Sequence, residues 1–231
     1  ADFVRDVLFK GDLVQMCTMV AIIAGTAVAT PLMDLFGGRV YLCSVVLIGC
    51  SLIGVVASHG ITRTLPAAPG QRPPWNPYAG MGRYFGEFFR DRWLFLTMLG
   101  IAYFWFAGSL AMMNIVEMAK DTIANEGLRG IPLAALSLGI GFGSVATGLM
   151  SRGKIEAGLI PLGGVGLAFF SALLGLGEWD FAPTLGLLFG LGFFGGMFDI
   201  PLAATLQQRS PEHIRGGMIA TSNVVTFAGM A

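Results

Sequence analysis

Charge is scarce in this chain. Asp, Glu, Lys and Arg make up 12% of its 231 residues, about half the roughly 25% of a soluble globular domain. The 14 bases and 14 acids cancel, so bulk charge points to no nucleic-acid partner. Histidine is scarcer still: His59 and His213 stand far apart and give no metal-ligand spacing. Cys17, Cys43 and Cys50 fall in apolar runs and read as small core hydrophobes, not as a disulfide or metal set. No nucleophile–base or metal constellation is present, which argues against an enzyme, and no cofactor is expected. The first ten residues carry both charge signs and no initiator methionine, so no signal peptide is read there.

What is abundant is apolar surface. Hydrophobic residues make up 55% of the chain and its mean hydropathy is +0.72. Together these define an all-α polytopic membrane protein. Hydropathy, with Gly, Pro and charge as punctuation, places about seven transmembrane segments, at 13–36, 40–57, 93–118, 131–150, 157–176, 183–206 and 217–231. The last stops after 15 residues, fewer than the ~20 that cross a bilayer comfortably. The expectation is a fragment of a longer protein, lacking sequence at both ends.

The bases are unevenly shared between the two sides. Eleven of the 14 Lys and Arg fall before the first segment and in alternate loops, and three on the other side. The positive-inside rule then puts the N-terminus and the long 58–92 loop in the cytoplasm. Residues 64–77 of that loop are proline-rich and should be extended or irregular. In residues 80–93, Tyr84, Phe85, Phe88 and Phe89 fall on one side at helical spacing, with Arg83, Glu87, Arg90 and Asp91 largely on the other. This reads either as a short interfacial helix or as the flank of the next span.

The stretch 183–208 organises the rest. It is apolar or small from Pro183 to Leu206, apart from one acid, Asp199. An intramembrane carboxylate is costly and tends to face a partner or a water-filled cavity. Asp199 therefore reads as a proton-titrating or substrate-contacting group, or as half of a structural pair near the helix end. Gly186, Gly190, Gly192, Gly195 and Gly196 give spacings that let a neighbouring helix approach. Pro201 removes a backbone donor just past the acid. Gly190-Leu-Gly192-Phe-Phe-Gly195 matches the dinucleotide pattern by accident, because it lies inside a membrane helix with no strand before it.

Other candidates carry two readings each. Glu117 with Asn114 lines an outer vestibule, or Glu117 pairs with Lys120 at the surface; such pairs near helix ends are common. Asp34 reads as an acid at the water interface. Trp105, inside Tyr103-Phe104-Trp105-Phe106, needs a partner for its indole N–H, which favours a cavity or a helix interface over lipid. Arg152 and Lys154 lie in one short loop, and Arg209 and Arg215 in the next with Glu212. They read as positive-inside charge, or as gate residues that pair in one transporter state and part in the other. Gln15, Thr18, Thr26 and Thr30, with the Gly25-xxx-Ala29 and Gly139-xxx-Gly143 spacings, read as packing.

Gly148 with Arg152-Gly-Lys154 resembles the short-loop motif of the major facilitator superfamily, with Ser151 where that motif usually has Asp. Phe104-Trp105-Phe106-Ala-Gly108, Glu156-Ala-Gly158-Leu-Ile-Pro161-Leu-Gly163 and Ile200-Pro201-Leu with Gln207-Gln-Arg209-Ser210-Pro211, Arg215 and Asn223 resemble its lysophospholipid-transporter branch. That branch includes forms fused to acyltransferase and acyl-carrier-protein synthetase domains. Asp199 stands where it is usually apolar. The resemblance implies twelve helices in two halves, with this chain covering helices five to eleven. Residues 1–57 would be the last two helices of the N-terminal half. Residues 58–92 would be the cytoplasmic loop between halves, and 93–231 a C-terminal half truncated in its fifth helix.

The implied function is lysophospholipid transport across the inner membrane by alternating access. The partners expected are lysophospholipid, membrane lipids and the missing helices of the same transporter. Asp199 and Asn114 would meet the headgroup, and aromatic faces near Phe104 and Phe194 the acyl chain. Two alternatives remain at this stage: a non-transporting scaffold subunit derived from a transporter, and an exporter of small solutes or drugs.

Overall fold

The computed structural model describes residues 25, 36, 40–60, 80–125, 128–151 and 156–230. Most of segment 13–36, the proline-rich loop 64–77, Arg152 and Lys154 lie outside the described residues. Among the described residues the regular structure is helical: α1 (Val40–Ser58), α2 (Met81–Arg90), α3 (Arg92–Thr122), α4 (Ile131–Ser151), α5 (Leu159–Leu176), α6 (Phe181–Arg209) and α7 (Arg215–Met230). Five of these, α1 and α3 to α6, are long and apolar enough to cross a membrane. The chain is an all-α polytopic membrane protein, as its composition predicts.

α6 is the hub, packed against α3, α4, α5 and α7. Its contact with α4 is the most extensive in the bundle, and glycine makes it possible. A Cβ on Gly143 would stand 2.7 Å from the carbonyl carbon of Phe193, and one on Gly139 would stand 2.9 Å from the Phe193 nitrogen. Seen from α6, a Cβ on Gly196 would stand 2.7 Å from the Ser144 nitrogen, and one on Gly192 2.9 Å from that of Ile140. Two small-xxx-small pairs therefore face each other, and the two backbones touch. α5 meets α6 in both ways: a Cβ on Gly163 would stand 2.8 Å from the Phe198 nitrogen, while Gly164 and Gly166 receive rings. Gly166 lies under Phe194, which stacks on Phe170 with centroids 5.6 Å apart.

Pro201 lies inside α6 without ending it. The missing donor leaves the helix continuous, and Thr205 donates its hydroxyl to the Pro201 carbonyl at 2.7 Å. Asp91 separates α2 from α3: its backbone is extended and its carboxylate accepts from the Trp93 N–H at 2.8 Å, capping α3. α2 is thus a helix of its own, and not the flank of the span that follows. Phe88 is fully buried in a cluster with Leu94, Met98, Ile101, Leu202, Leu206 and Met218, against which Tyr84 and Phe85 pack. Most of the aromatic face of α2 docks on α3, α6 and α7, and Phe89 stays 68% exposed. None of the packed helix pairs among the described residues includes α1.

Candidate functional site

The midpoints of four helices surround a cleft of about 250 Å³. α3 contributes Tyr103, Phe104, Ala107, Gly108 and Ala111, and α6 contributes Leu191, Gly192, Gly195 and Phe198. Leu136 and Ile140 come from α4, and Gly164, Leu167, Ala168 and Ser171 from α5. The space exists because small residues face one another across it, flanked by the Phe104 and Phe198 rings, 6.0 Å apart. Only Tyr103 and Ser171 bring a polar side chain to the lining, so the cleft suits apolar matter held by few directional contacts. Tyr103 is 65% exposed, so the cleft is open on that side. Phe194, whose face was expected to meet the acyl chain, belongs to the α5–α6 stack and does not line the cleft.

Asp199 directly follows Phe198 and is half-buried, and it does not line the cleft. Among the described residues its carboxylate makes no hydrogen bond or ion pair. Trp105 is 41% exposed and meets the edge of Phe104, with ring centroids 5.9 Å apart. Asn114 lies one turn beyond Ala111 on the same face of α3, and its amide donates to the Leu110 carbonyl at 2.8 Å. Glu117 pairs with Lys120 at 3.0 Å, both side chains largely exposed. The structure brings Trp105 and Asp199 next to lining residues, and leaves Glu117 at the surface.

The described basic candidates gather at the other end of the bundle. Arg209 meets Asp91 at 3.6 Å and lies over the Trp93 ring, 5.6 Å from its centroid. It thereby ties the last residue of α6 to the cap of α3. Arg215 meets Glu212 at 3.9 Å. The Arg209 pair is about half exposed, so Arg209→Ala is expected to lower stability by no more than about 1 kcal/mol. The midpoint of heat unfolding measures this, and a larger loss would make the contact a true fastener of α3 to α6.

Sequence reading missed Ala107, Ala111, Gly164 and Ala168. Their signal, small residues four apart, was visible but is the same one that marks the α4–α6 contact. Only the tertiary arrangement separates a notch filled by a neighbouring backbone from one left open.

The fold and cleft define a class: a multi-pass helical membrane protein with an apolar site near mid-span. Comparison with known proteins narrows it. The chain is similar to curated proteins named lysophospholipid transporter LplT. It is 29% identical to that of Enterobacter sp. (strain 638), over 95% of this chain and 55% of the relative. It is 28% identical to that of Klebsiella pneumoniae (strain 342), with the same coverage, and 27% to that of Pectobacterium carotovorum subsp. carotovorum (strain PC1), over 95% of this chain and 54% of the relative. The chain thus spans about half the length of the curated relatives it matches. No family model matches, and no solved structure does.

Proposed function

We propose that this chain is part of a secondary transporter that moves lysophospholipid across the inner membrane by alternating access. The apolar cleft at the midpoints of α3 to α6 carries the reading. Transporters of this kind hold substrate near the bilayer midplane and rock one half of the molecule against the other. A single acyl chain fits a cleft flanked by Phe104 and Phe198. The headgroup needs polar company: Tyr103 and Ser171 on the lining, with Asp199, Asn114 and Trp105 just outside it, are the candidates, and Glu117 stays with Lys120 at the surface. Residues 1–57 and 93–231 belong to opposite halves, joined by 58–92 in the cytoplasm along with the N-terminus. Arg152, Lys154, Arg209 and Arg215 are then the cytoplasmic gate. Any fused acyltransferase domain lies outside this chain, and transport itself needs no catalytic group.

The test is to fill the cleft. Ala168→Phe in the full-length protein puts a ring where the chain would lie. Displacing even two methylenes removes about 1.6 kcal/mol of apolar burial, about tenfold in affinity. Lysophospholipid uptake into proteoliposomes is expected to fall by about that factor, with the unfolding midpoint kept. Unchanged uptake removes the cleft from the transport path.

A further inference from the structure

α7 carries an unusual set of polar atoms. Among the described residues, the buried side-chain nitrogens and oxygens without a hydrogen-bond partner are Arg215 Nε, Ser222 Oγ and Thr226 Oγ1. Spacings of seven and four put all three on one face of α7. Ser222 is 1% exposed and Thr226 5%. Met218, fully buried on the same face, belongs to the cluster with Met98 and Ile101 of α3. A Cβ on Gly229, further along that face, would stand 3.9 Å from the Ala102 carbonyl oxygen. The unpartnered hydroxyls therefore point at α3, which offers them buried Met98, Ile101 and Ala102. This is the side of α3 away from the cleft.

Helical hydroxyls have an easy remedy, a hydrogen bond to the carbonyl four residues back. Thr221, next to Ser222, donates to the Gly217 carbonyl at 2.9 Å. Thr97 on α3 donates to Trp93 at 2.7 Å, and Ser144 and Thr147 on α4 do likewise to their own helix. A buried hydroxyl left without a partner is expensive. Two of them a turn apart, on one interface, call for an explanation.

We infer that the α3–α7 contact, inside the 93–231 half, is a second moving seam of the transport cycle beside the rocking of the two halves. Ser222 and Thr226 are unpaired while it is shut and gain partners when α7 shifts against α3. The Arg215 Nε–H at the start of α7 joins them. This rests on the transport reading, but its tests separate the two.

The geometry supplies a lock. A Cβ on Gly229 would stand 4.0 Å from the Phe106 Cβ, inside the roughly 3.5–4.5 Å a disulfide needs. The experiment uses full-length protein with every cysteine, Cys17, Cys43 and Cys50 among them, replaced by Ser. In that background Ser222→Cys is expected to react with N-ethylmaleimide in native membranes. Adding Phe106→Cys and Gly229→Cys under oxidising conditions should slow that reaction about tenfold, and reductant should restore it. A Ser222→Cys thiol that never reacts, or reacts equally fast in the locked protein, overturns the inference whatever the substrate. In transport assays the locked protein should lose uptake reversibly. Wild-type uptake by the locked protein overturns the seam and leaves the transport reading standing. A wild-type protein that moves no lysophospholipid counts against the transport reading, while the labelling result still decides the seam. Ser222→Ala with Thr226→Val should slow uptake without lowering the unfolding midpoint, since no hydrogen bond is lost; uptake at the wild-type rate overturns their role.

Discussion

Gly143→Ala is expected to force α4 and α6 apart and lower the stability of the folded protein. The added methyl would meet the Phe193 backbone, whose carbonyl carbon and Cα lie 2.7 and 2.9 Å from the new atom's position. A side chain in the way turns aside, but a backbone in the middle of α6 moves only if the whole helix does. Overpacking a core typically costs about 1–3 kcal/mol, and a backbone collision in the largest helix contact of the bundle belongs at the upper end. Gly186→Ala is the control. It lies on α6 with nothing within 4 Å of its added Cβ, and Ala is the better helix former by about 1 kcal/mol. Heat unfolding of the detergent-solubilised full-length protein should show a midpoint several degrees lower for Gly143→Ala, and unchanged or higher for Gly186→Ala. A Gly143→Ala protein as stable as the parent would mean that the two helices do not cross there.

That contact was half legible in advance. The small-xxx-small spacings at Gly139/Gly143 and in 183–208 announce close approach, and Gly139, Gly143, Gly192 and Gly196 supply it. Which helices met was not legible, because the spacing names no partner. The spans were read well: 131–150 became Ile131–Ser151 and 157–176 became Leu159–Leu176. Hydropathy registers what lipid and protein interior share, so it finds helices but not their neighbours. It also clipped the longest ones. α3 runs on to Thr122 and α6 to Arg209, because Glu117, Lys120 and Arg209 keep helical geometry while reaching into water.

α2 shows a different limit. Its aromatic spacing indicated an amphipathic helix, and the helix formed. What its apolar face would meet depended on distant residues, Leu202, Leu206 and Met218, which pack around Phe88. The cleft was the least legible feature. It consists of places where a side chain is absent, and Ala107, Ala111, Gly164 and Ala168 read the same in sequence whether the gap opposite them is filled or empty.

Asp199→Asn is expected to reduce lysophospholipid uptake by about 10- to 100-fold while leaving the protein at least as stable. The argument turns on what the carboxylate costs. An acid near the centre of a membrane helix is disfavoured by about 2.5–3.5 kcal/mol. Among the described residues nothing bonds to it to offset that. Asn keeps its shape and hydrogen-bonding reach and removes the charge, so on structural grounds the change is neutral or stabilising. A functional carboxylate behaves in the opposite way. Charge-assisted hydrogen bonds to a headgroup or a coupling cation contribute about 1.5–3 kcal/mol, which is the tenfold to hundredfold loss expected. Its place supports the functional account: it directly follows Phe198 at the cleft, and it lies between Met197 and Pro201, where the missing proline N–H interrupts the backbone ladder. Uptake and unfolding are to be measured on the same purified full-length protein across a range of pH. Wild-type uptake at every pH would make Asp199 a bystander, and the headgroup would then need other polar partners. A fall in both uptake and stability would make it half of a structural pair, its partner lying among residues outside those described.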